Sequence, residues 1–124
     1  MALRPTKTIE TFPNPHPSND YTIRFETREF TTNCPMTGQP DFARITVEYS
    51  PAESCLESKS LKQYLWSFRD EGHFHEDVTN IIMNDMVAAC QPRWLTVTGH
   101  FNIRGGIDFV ITARFTNEAQ TKAG

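Results

Sequence analysis

The pattern of hydrophobic and polar positions has a period of two in the first half of the chain. In residues 21–30, Tyr21, Ile23 and Phe25 alternate with polar side chains, and residues 42–50 alternate in the same way. A period of two is typical of a strand with one buried face. The pattern therefore predicts two strands, joined by a loop that contains several turn-forming residues.

In the middle of the chain the period changes to that of a helix. Apolar residues at positions 61, 64, 65 and 68 form one stripe of a helix that begins near Ser58 and that Gly72 ends. A second helix is expected to begin near His75 and to end before Pro92. Its predicted buried side consists of Val78, Ile81, Ile82, Met86 and Ala89.

Two more strands are predicted after the second helix, where the period of two returns. The first contains Leu95, Val97, Phe101 and Ile103, and the second contains Ile107, Phe109, Ile111 and Phe115. The glycine pair at 105–106 between them is typical of a hairpin turn. The order strand, strand, helix, helix, strand, strand predicts an α+β fold, a four-stranded antiparallel sheet with two helices on one face. Because exposed sheet edges are usually paired or covered, we also expect a homo-oligomer.

The distribution of prolines divides the chain into three parts. Four prolines in residues 1–20 predict an extended arm without repetitive structure. Residues 21–116 are expected to form one domain, a size that suits a single core. Residues 117–124 are predicted to be a flexible tail.

Composition and charge exclude several classes of protein. The net charge of −3 does not provide the basic surface that nucleic-acid binding requires. No apolar run approaches the ~20 residues of a membrane-spanning helix. The N-terminus lacks the apolar centre of a signal peptide, so we expect a cytoplasmic location. The three cysteines include no CxxC pair, which favours free thiols over a structural zinc site.

The loop between the first two strands holds the first candidate chemical group. In "FTTNCPMTGQPDF", residues 30–42, Cys34 precedes a proline and Asp41 follows seven residues later. This loop is about a dozen residues long, and long connections are more often functional. Cys34 is either a small buried hydrophobe or an accessible nucleophile. Asp41 is either a solvated turn residue or a proton donor close to that thiol.

Three other segments allow both a structural and a functional interpretation. In "ESKSLKQY", Ser58 is an N-cap with Lys59 on a solvated face, or the segment is an anion site. In "HFHEDV", Glu76 is an acidic residue of the first helical turn that interacts favourably with the helix dipole, or it accepts hydrogen bonds from a purine-like base. His73 and His75 are candidate metal ligands, although they lack the HExxH spacing. In "RGG", Arg104 belongs to a turn or pairs with phosphate.

Four segments in this order, "CPMTGQPDFA", "ESKSLKQYLWSFRDEG", "HFHEDVTNIIMND" and "RGGI", closely resemble the 7-cyano-7-deazaguanine reductase family. This family comprises the nitrile reductases of queuosine biosynthesis. The resemblance extends from about Thr11 to Phe115 and fits the short, single-module form. It implies the tunnelling fold (T-fold), whose subunits assemble into barrels, commonly two stacked rings, so that a decamer is expected.

The resemblance also implies the reaction and its residues. A small-molecule substrate, 7-cyano-7-deazaguanine, would be reduced to 7-aminomethyl-7-deazaguanine with two NADPH, without a metal. Cys34 matches the nucleophile that forms a thioimide with the nitrile carbon, and Asp41 matches the proton donor. Substrate contacts are implied for Leu56, Glu57, Ser58, His75 and Glu76. NADPH contacts are implied for Ser58, Lys59, Arg104 and Gly105.

Three alternatives remain open at this point. The related amidine-forming enzyme of archaeosine synthesis uses the same cysteine on the same base held in tRNA. A zinc-dependent cyclohydrolase of the same fold would use Cys34 and either His73 or His75 as ligands. The third alternative is a binding protein of this fold without catalytic activity.

Overall fold

Two helices cover one face of a four-stranded antiparallel sheet in the computed structural model, which describes residues 3–118. The strands have the order β2-β3-β5-β6, and β1 and β4 form a separate two-stranded sheet. The bounds are β1 Thr11–Pro13, β2 Ile23–Asn33, β3 Pro40–Ser50, β4 Ser54–Leu56, α1 Ser58–Trp66, α2 His75–Cys90, β5 Trp94–Arg104 and β6 Ile107–Thr116. This architecture confirms the α+β prediction of a four-stranded antiparallel sheet with two helices, whereas the short strands β1 and β4 were not predicted.

The core lies between the helices and one face of the sheet. Alternate residues of β3 and β5 are completely buried, among them Ile45, Val47, Leu95 and Val97. Both helices contribute to the same apolar cluster, through Leu61, Tyr64, Val78, Ile82 and Met86. The period-two and helical stripes of the sequence therefore meet in one core, as expected for a two-layer fold.

A β-bulge changes the phase of β2 before it reaches the loop with Cys34. Between Thr27 and Phe30 the register against β3 shifts by one residue. The extra residue places Phe30 and Thr32 on the buried face that Phe25 occupies before the bulge. The bulge thereby determines the direction in which the end of β2 delivers the loop.

The first helix differs from its prediction at both ends. Glu57, not Ser58, is the N-cap, and its carboxylate accepts hydrogen bonds from the N–H groups of Lys59 and Ser60. Since glutamate is not among the preferred N-cap residues, Ser58 was the reasonable expectation, but it is the first helical residue. The helix ends at Trp66, and turns continue the chain towards Gly72.

The two turns of the sheet explain two of the glycines. Gly105 and Gly106 have φ values of 59° and 76°, which confirms the predicted two-residue hairpin between β5 and β6. Gly38, in the loop between β2 and β3, has a φ of 73°. Glycine is favoured in this left-handed backbone conformation because glycine lacks a Cβ atom.

The N-terminal segment contains more structure than its prolines predicted. Thr11–Pro13 forms a short strand that pairs with β4. Pro13 does not prevent this pairing, since it lies at the end of an edge strand. The expectation of an arm without repetitive structure was wrong at these residues. Of the predicted flexible tail, residues 119–124 lie outside the described residues, and the N–H of Asn117 donates to the carbonyl of Arg93. The division of the chain into arm, domain and tail stays a prediction.

None of the helices within residues 3–118 has both the length and the apolar character to cross a membrane.

Candidate active site

The loop that carries Cys34 is a tight turn. It consists of residues 34–39 because β2 continues to Asn33 and β3 begins at Pro40, so the predicted length of about a dozen residues was too long. The Cys34 N–H donates to the carbonyl of Gln39, and the Gly38 N–H donates to the carbonyl of Cys34, both at 2.8 Å. Cys34 is half-buried, while the five residues after it are exposed. The turn therefore places the thiol where a small molecule can reach it.

Hydrogen bonds within this turn favour the thiolate. The Thr37 hydroxyl and, more weakly, the backbone N–H groups of Thr37 and Met36 lower the pKa of the Cys34 thiol. Burial and the negative charge of Asp41 act in the opposite direction, but their effects are smaller. Because a thiolate is the reactive form of cysteine, the turn favours the reactive form of Cys34.

Asp41 is buried at the start of β3, directly after the loop. Its carboxylate lies 3.3 Å from Nε of Arg104 and 3.5 Å from Nε2 of His75. The side chain of Asp41 is only 7% exposed, whereas that of Arg104 is 44% exposed. The same guanidinium donates to Oε1 of Gln39 at 3.1 Å and to the carbonyl of Pro40. Arg104 therefore binds both the carboxylate and the end of the Cys34 loop.

His75 reaches this carboxylate from the first turn of α2. Its imidazole stacks on the ring of Phe101, with centroids 4.0 Å apart and an interplanar angle of 12°. The edge of Phe109 packs at 5.4 Å on the same imidazole. Glu76 is exposed in the same helical turn. Cys34, Asp41, His75 and Arg104 thus belong to one end of the sheet.

The remaining predicted contacts belong to the start of α1. Leu56 is buried, and its N–H donates to the Tyr49 hydroxyl at 2.9 Å. The N–H groups of Lys59 and Ser60 donate to the Glu57 carboxylate, which lowers the pKa of Glu57. The side chains of Ser58 and Lys59 are exposed.

These two groups of residues lie far apart within one chain. Asp41 is near the start of β3 and Tyr49, the partner of Leu56, is near its end. At the rise of an antiparallel strand these two residues are about 26 Å apart. One bicyclic base cannot touch both groups in a single subunit.

No group of three or more metal-ligating side chains is close enough to hold an ion within the described part of the chain. His73 instead lies 2.9 Å from the carboxylate of Glu71, and His75 lies beside Asp41. The two histidines of "HFHEDV" therefore contact different carboxylates, since His73 lies beside Glu71 and Asp77 and His75 lies beside Asp41.

Two residues of the site were not expected from the sequence. Thr37 is the largest cause of the lowered pKa of the Cys34 thiol, and its position three residues after Cys34 was the available signal. Phe101 was assigned only to the core of β5. Its contact with His75 depends on how α2 crosses the sheet, which the pattern along the chain does not contain.

The fold and the site define the class of the protein. A half-exposed thiol with a lowered pKa, next to a buried carboxylate on a small α+β scaffold, has the parts needed for nucleophilic catalysis with proton transfer.

Comparisons with known proteins identify the family. The family model described as QueF-like protein matches residues 40–120. A protein of Anaeromyxobacter dehalogenans (strain 2CP-C), named NADPH-dependent 7-cyano-7-deazaguanine reductase, is 60% identical over 92% of this chain and 93% of its own length. A protein of the same name from Thermomicrobium roseum is 53% identical over 99% of this chain and 96% of its own length. The chain belongs to the QueF family, in its short form.

A solved structure supports the same fold. The crystal structure of the archaeosine synthase QueF-Like in the apo form matches with a TM-score of 0.70 at 25% sequence identity. The match covers 75% of this chain and 91% of the other. The fold is therefore shared with an enzyme that differs from this chain at most positions.

Proposed function

We propose that this protein catalyses the NADPH-dependent reduction of 7-cyano-7-deazaguanine to 7-aminomethyl-7-deazaguanine in queuosine biosynthesis. The observation that carries the proposal is 53% to 60% identity, over nearly the whole chain, to proteins named for this activity. The arrangement of Cys34 and Asp41 supports it, because the two groups suit addition to a nitrile.

Cys34 makes the nitrile reducible. The thiolate adds to the nitrile carbon, the new C–S bond forms, and the nitrogen takes a proton, which gives a thioimide with a C=N bond. Its carbon accepts a hydride, after which the C–S bond breaks and the thiolate returns to Cys34. The resulting imine accepts a second hydride and a second proton, which completes the aminomethyl group. When bound, NADPH supplies these hydrides.

Asp41 is the group that we assign to the transfer of protons to the substrate nitrogen. It is buried, adjacent in space to the Cys34 turn, and held by Arg104 and His75. Orientation by two partners is the usual requirement for an acid that must meet a small reacting group. His75 and Glu76 would contact the flat base, since a carboxylate accepts two parallel N–H bonds from a guanine edge.

The residues expected to bind NADPH fit it by charge. Lys59 is exposed at the start of α1, where an ammonium group can pair with a phosphate. The N–H groups of Lys59 and Ser60 are not available for a phosphate, because they already donate to the Glu57 carboxylate. Arg104 pairs with Asp41, so its part in cofactor binding would require it to leave or share that partner. Ser58 and Gly105 are exposed beside these two cations.

We further infer that each active site combines two subunits. The group at Cys34 and the group at Leu56–Lys59 lie at opposite ends of β3, so a neighbouring chain must bring the second group to the first. The sheet offers a way to do this, since β2 and β6 are its two outer strands. Pairing β2 of one subunit with β6 of the next would continue the sheet into a barrel.

The surfaces beside these edges support such pairing. A groove of about 1170 Å³ lies between β2 and α1, with Phe25, Leu61 and Trp66 among its lining residues. At the other edge, Phe109 and Val110 of β6 are exposed large apolar residues. Apolar surface at both edges is typical of a subunit interface. Two stacked rings and a decamer follow from the family resemblance.

The alternatives from the sequence are weaker. Identity to the archaeosine synthase structure is 25%, less than half of the identity to the reductases. The cyclohydrolase alternative needs zinc ligands near Cys34, and the nearby histidines contact carboxylates. The cytoplasmic location stays a prediction.

The proposal is tested by turnover and by covalent capture. Loss of NADPH absorbance should require the nitrile, with two NADPH oxidised per substrate, and intact mass without NADPH should show an adduct of substrate mass. Cys34→Ala should abolish both signals, whereas Cys55→Ala, at a buried thiol outside the site, should keep the adduct. An adduct without NADPH oxidation would indicate the amidine-forming reaction. The absence of both NADPH oxidation and the adduct would contradict the proposed chemistry.

The assembly is tested by native mass. We expect a decamer, and we expect Phe109→Glu, at the exposed edge strand β6, to shift the protein to smaller species. A monomer that turns over at full rate would refute the two-subunit site.

A further inference from the structure

The connection between the helices, residues 67–74, binds the chain directly before the nucleophile. The Asn33 N–H donates to the carbonyl of Glu71 at 2.9 Å, and the His73 N–H donates to the carbonyl of Asn33 at 3.0 Å. These bonds form a parallel bridge between Asn33 and Gly72. The Thr32 hydroxyl adds a bond of 2.8 Å to the same Glu71 carbonyl. The residue before Cys34 is therefore held by the connection as well as by β3.

The same connection packs on the residue directly after the nucleophile. A Cβ atom at Gly72 would lie 3.6 Å from Cα of Pro35, which shows how closely the two backbones approach. Asn33 and Pro35 flank Cys34, so both neighbours of the thiol rest on Gly72. The position of this short segment determines the position of the turn.

The carboxylate of Glu71 holds the segment in place. One oxygen lies 2.5 Å from Nζ of Lys7, in the N-terminal arm, and the other lies 2.9 Å from Nε2 of His73. Lys7 also donates to the Ser67 hydroxyl at 2.7 Å and lies 4.0 Å from the ring centroid of Phe68. Glu71 and Lys7 together thus join the arm to Ser67, directly after α1, and to His73, two residues before α2.

The electrostatics of Glu71 agree with this role. Burial alone would raise its pKa, but the hydrogen bonds from Lys7 and His73 outweigh burial and lower it. The other charged groups facing this cluster are Asp77, 3.6 Å from Nδ1 of His73, and Asp85, which accepts the bond of the Tyr64 hydroxyl. The ionised carboxylate is therefore the form that binds its two partners.

We propose that Glu71 is a positioning residue for Cys34, which it serves by binding Lys7 and His73 and so fixing Gly72 against the two neighbours of the thiol. The assignment rests on the proposed role of Cys34 as the nucleophile. It gives the N-terminal arm a part in catalysis, since Lys7 is the contact from that arm to Glu71. His75 follows directly from the same segment, so the substrate side of the site depends on it as well.

Alkylation of Cys34 by iodoacetamide tests this role without nitrile or NADPH. The rate is measured across the pH range of thiol ionisation, with peptide mapping to separate Cys34 from the buried Cys55 and Cys90. Asp41 is the charged group that acts on this thiol, and it is unchanged in all variants. The variants are Glu71→Gln, which keeps the shape, and Lys7→Met, which keeps an apolar stem over Phe68. Glu48→Gln is the matched control, a half-exposed partner of Arg24 away from the site.

With the turn loosened, the hydrogen bonds to the sulfur weaken and the profile moves to higher pH. We expect alkylation at neutral pH to be about threefold to tenfold slower in Glu71→Gln and Lys7→Met, and unchanged in Glu48→Gln. A Glu71→Gln protein that has a lower melting temperature but the wild-type profile would show a purely structural residue and overturn the proposal. If Glu71→Gln does not fold, a wild-type profile for Lys7→Met overturns it.

The result is independent of the reductase activity. If the wild-type protein reduces no nitrile but the alkylation profile of Glu71→Gln is shifted, the proposed function is refuted and the positioning role stands. If the wild-type protein reduces the nitrile but Glu71→Gln keeps the wild-type alkylation profile, the positioning role is refuted and the proposed function stands.

Discussion

The imidazole of His75 lies flat on the ring of Phe101, with an interplanar angle of 12° and centroids 4.0 Å apart. The contact joins the start of α2 to the middle of β5 and leaves Nε2 of His75 3.5 Å from Asp41. Because the two rings are stacked, the ring nitrogens of the imidazole point in directions nearly parallel to the plane of the Phe101 ring. One of these directions leads to the buried carboxylate.

Removing this stack should affect substrate binding more than the fold. Phe101→Leu keeps an apolar side chain in the core and should cost about 1–2 kcal/mol of unfolding free energy. We expect a higher KM for the nitrile, because His75 loses the surface that orients it. Steady-state kinetics combined with thermal unfolding would separate the two effects.

Phe115→Leu is the control, since Phe115 lies further along β6 opposite Leu95. It should lower stability without changing KM. Equal KM values for Phe101→Leu and the wild type would show that the stack has no part in orienting His75.

Thr37 should control the reactivity of the thiol. Its hydroxyl is the largest contribution to the lowered pKa of Cys34. Thr37→Val keeps the shape and removes this donor, so the pKa should rise and less thiolate should be present at neutral pH. We expect alkylation of Cys34 at neutral pH to slow by about threefold to tenfold. The difference should vanish at pH values where Cys34 is ionised in both the variant and the wild type.

Thr31→Val, a similar change at a residue of β2 before the turn, should leave the profile unchanged. An unshifted profile for Thr37→Val would mean that the backbone N–H groups alone account for the reactivity of Cys34.

The elements that the sequence predicts correctly are those whose periodicity follows from burial on one face. The alternation at Ile45 and Val47 and the helical stripe through Val78 and Ile82 are local patterns, and each of these residues is fully buried. The Gly105–Gly106 turn was predictable because its backbone conformation favours glycine. The predicted loop at Cys34 was too long. The bulge in β2 interrupts the period of two, so the last residues of β2 did not match the pattern of a strand.

The site was predictable where its residues share a segment. Cys34 and Asp41 stand at the two ends of one turn, so their proximity follows from the chain itself. The approach of His75 and Arg104 to Asp41 depends on how α2 and the β5–β6 hairpin pack, which no local pattern contains. The capping of α1 by Glu57 is a local contact that was missed for another reason, because glutamate is not among the preferred N-cap residues.

The Glu57 cap should make the stability of α1 depend on pH. Hydrogen bonds from the N–H groups of Lys59 and Ser60 lower the pKa of Glu57 below its ordinary value of 4.5. A group with a lowered pKa in the folded state stabilises the fold above its unfolded pKa, and this contribution is lost as the pH falls through the folded value. Glu57→Gln should therefore melt at a lower temperature than the wild type at neutral pH.

The difference between the two melting temperatures should shrink as the pH falls below 4.5. Glu53→Gln, at a nearby exposed glutamate, should show no such dependence. A difference that stays constant with pH would contradict a charged cap.

Arg104 should act on Asp41, the proposed proton donor, and its variants can separate this role from cofactor binding. Its guanidinium lies 3.3 Å from the Asp41 carboxylate and also binds Gln39 and Pro40 at the end of the Cys34 loop. Arg104→Lys keeps the positive charge but loses the planar fork that binds several acceptors at once. We expect kcat to fall by about tenfold or more in Arg104→Lys, since positioned proton transfer contributes on this scale.

The Michaelis constants decide between the two roles. If Arg104 mainly orients Asp41, kcat falls while the KM for NADPH stays close to that of the wild type. Lys59→Gln is the comparison, because an exposed lysine that meets only the cofactor should raise the KM for NADPH with little change in kcat. A rise in the KM for NADPH without a fall in kcat for Arg104→Lys would instead assign this arginine to the cofactor, and its pair with Asp41 would then be a contact that the bound cofactor replaces.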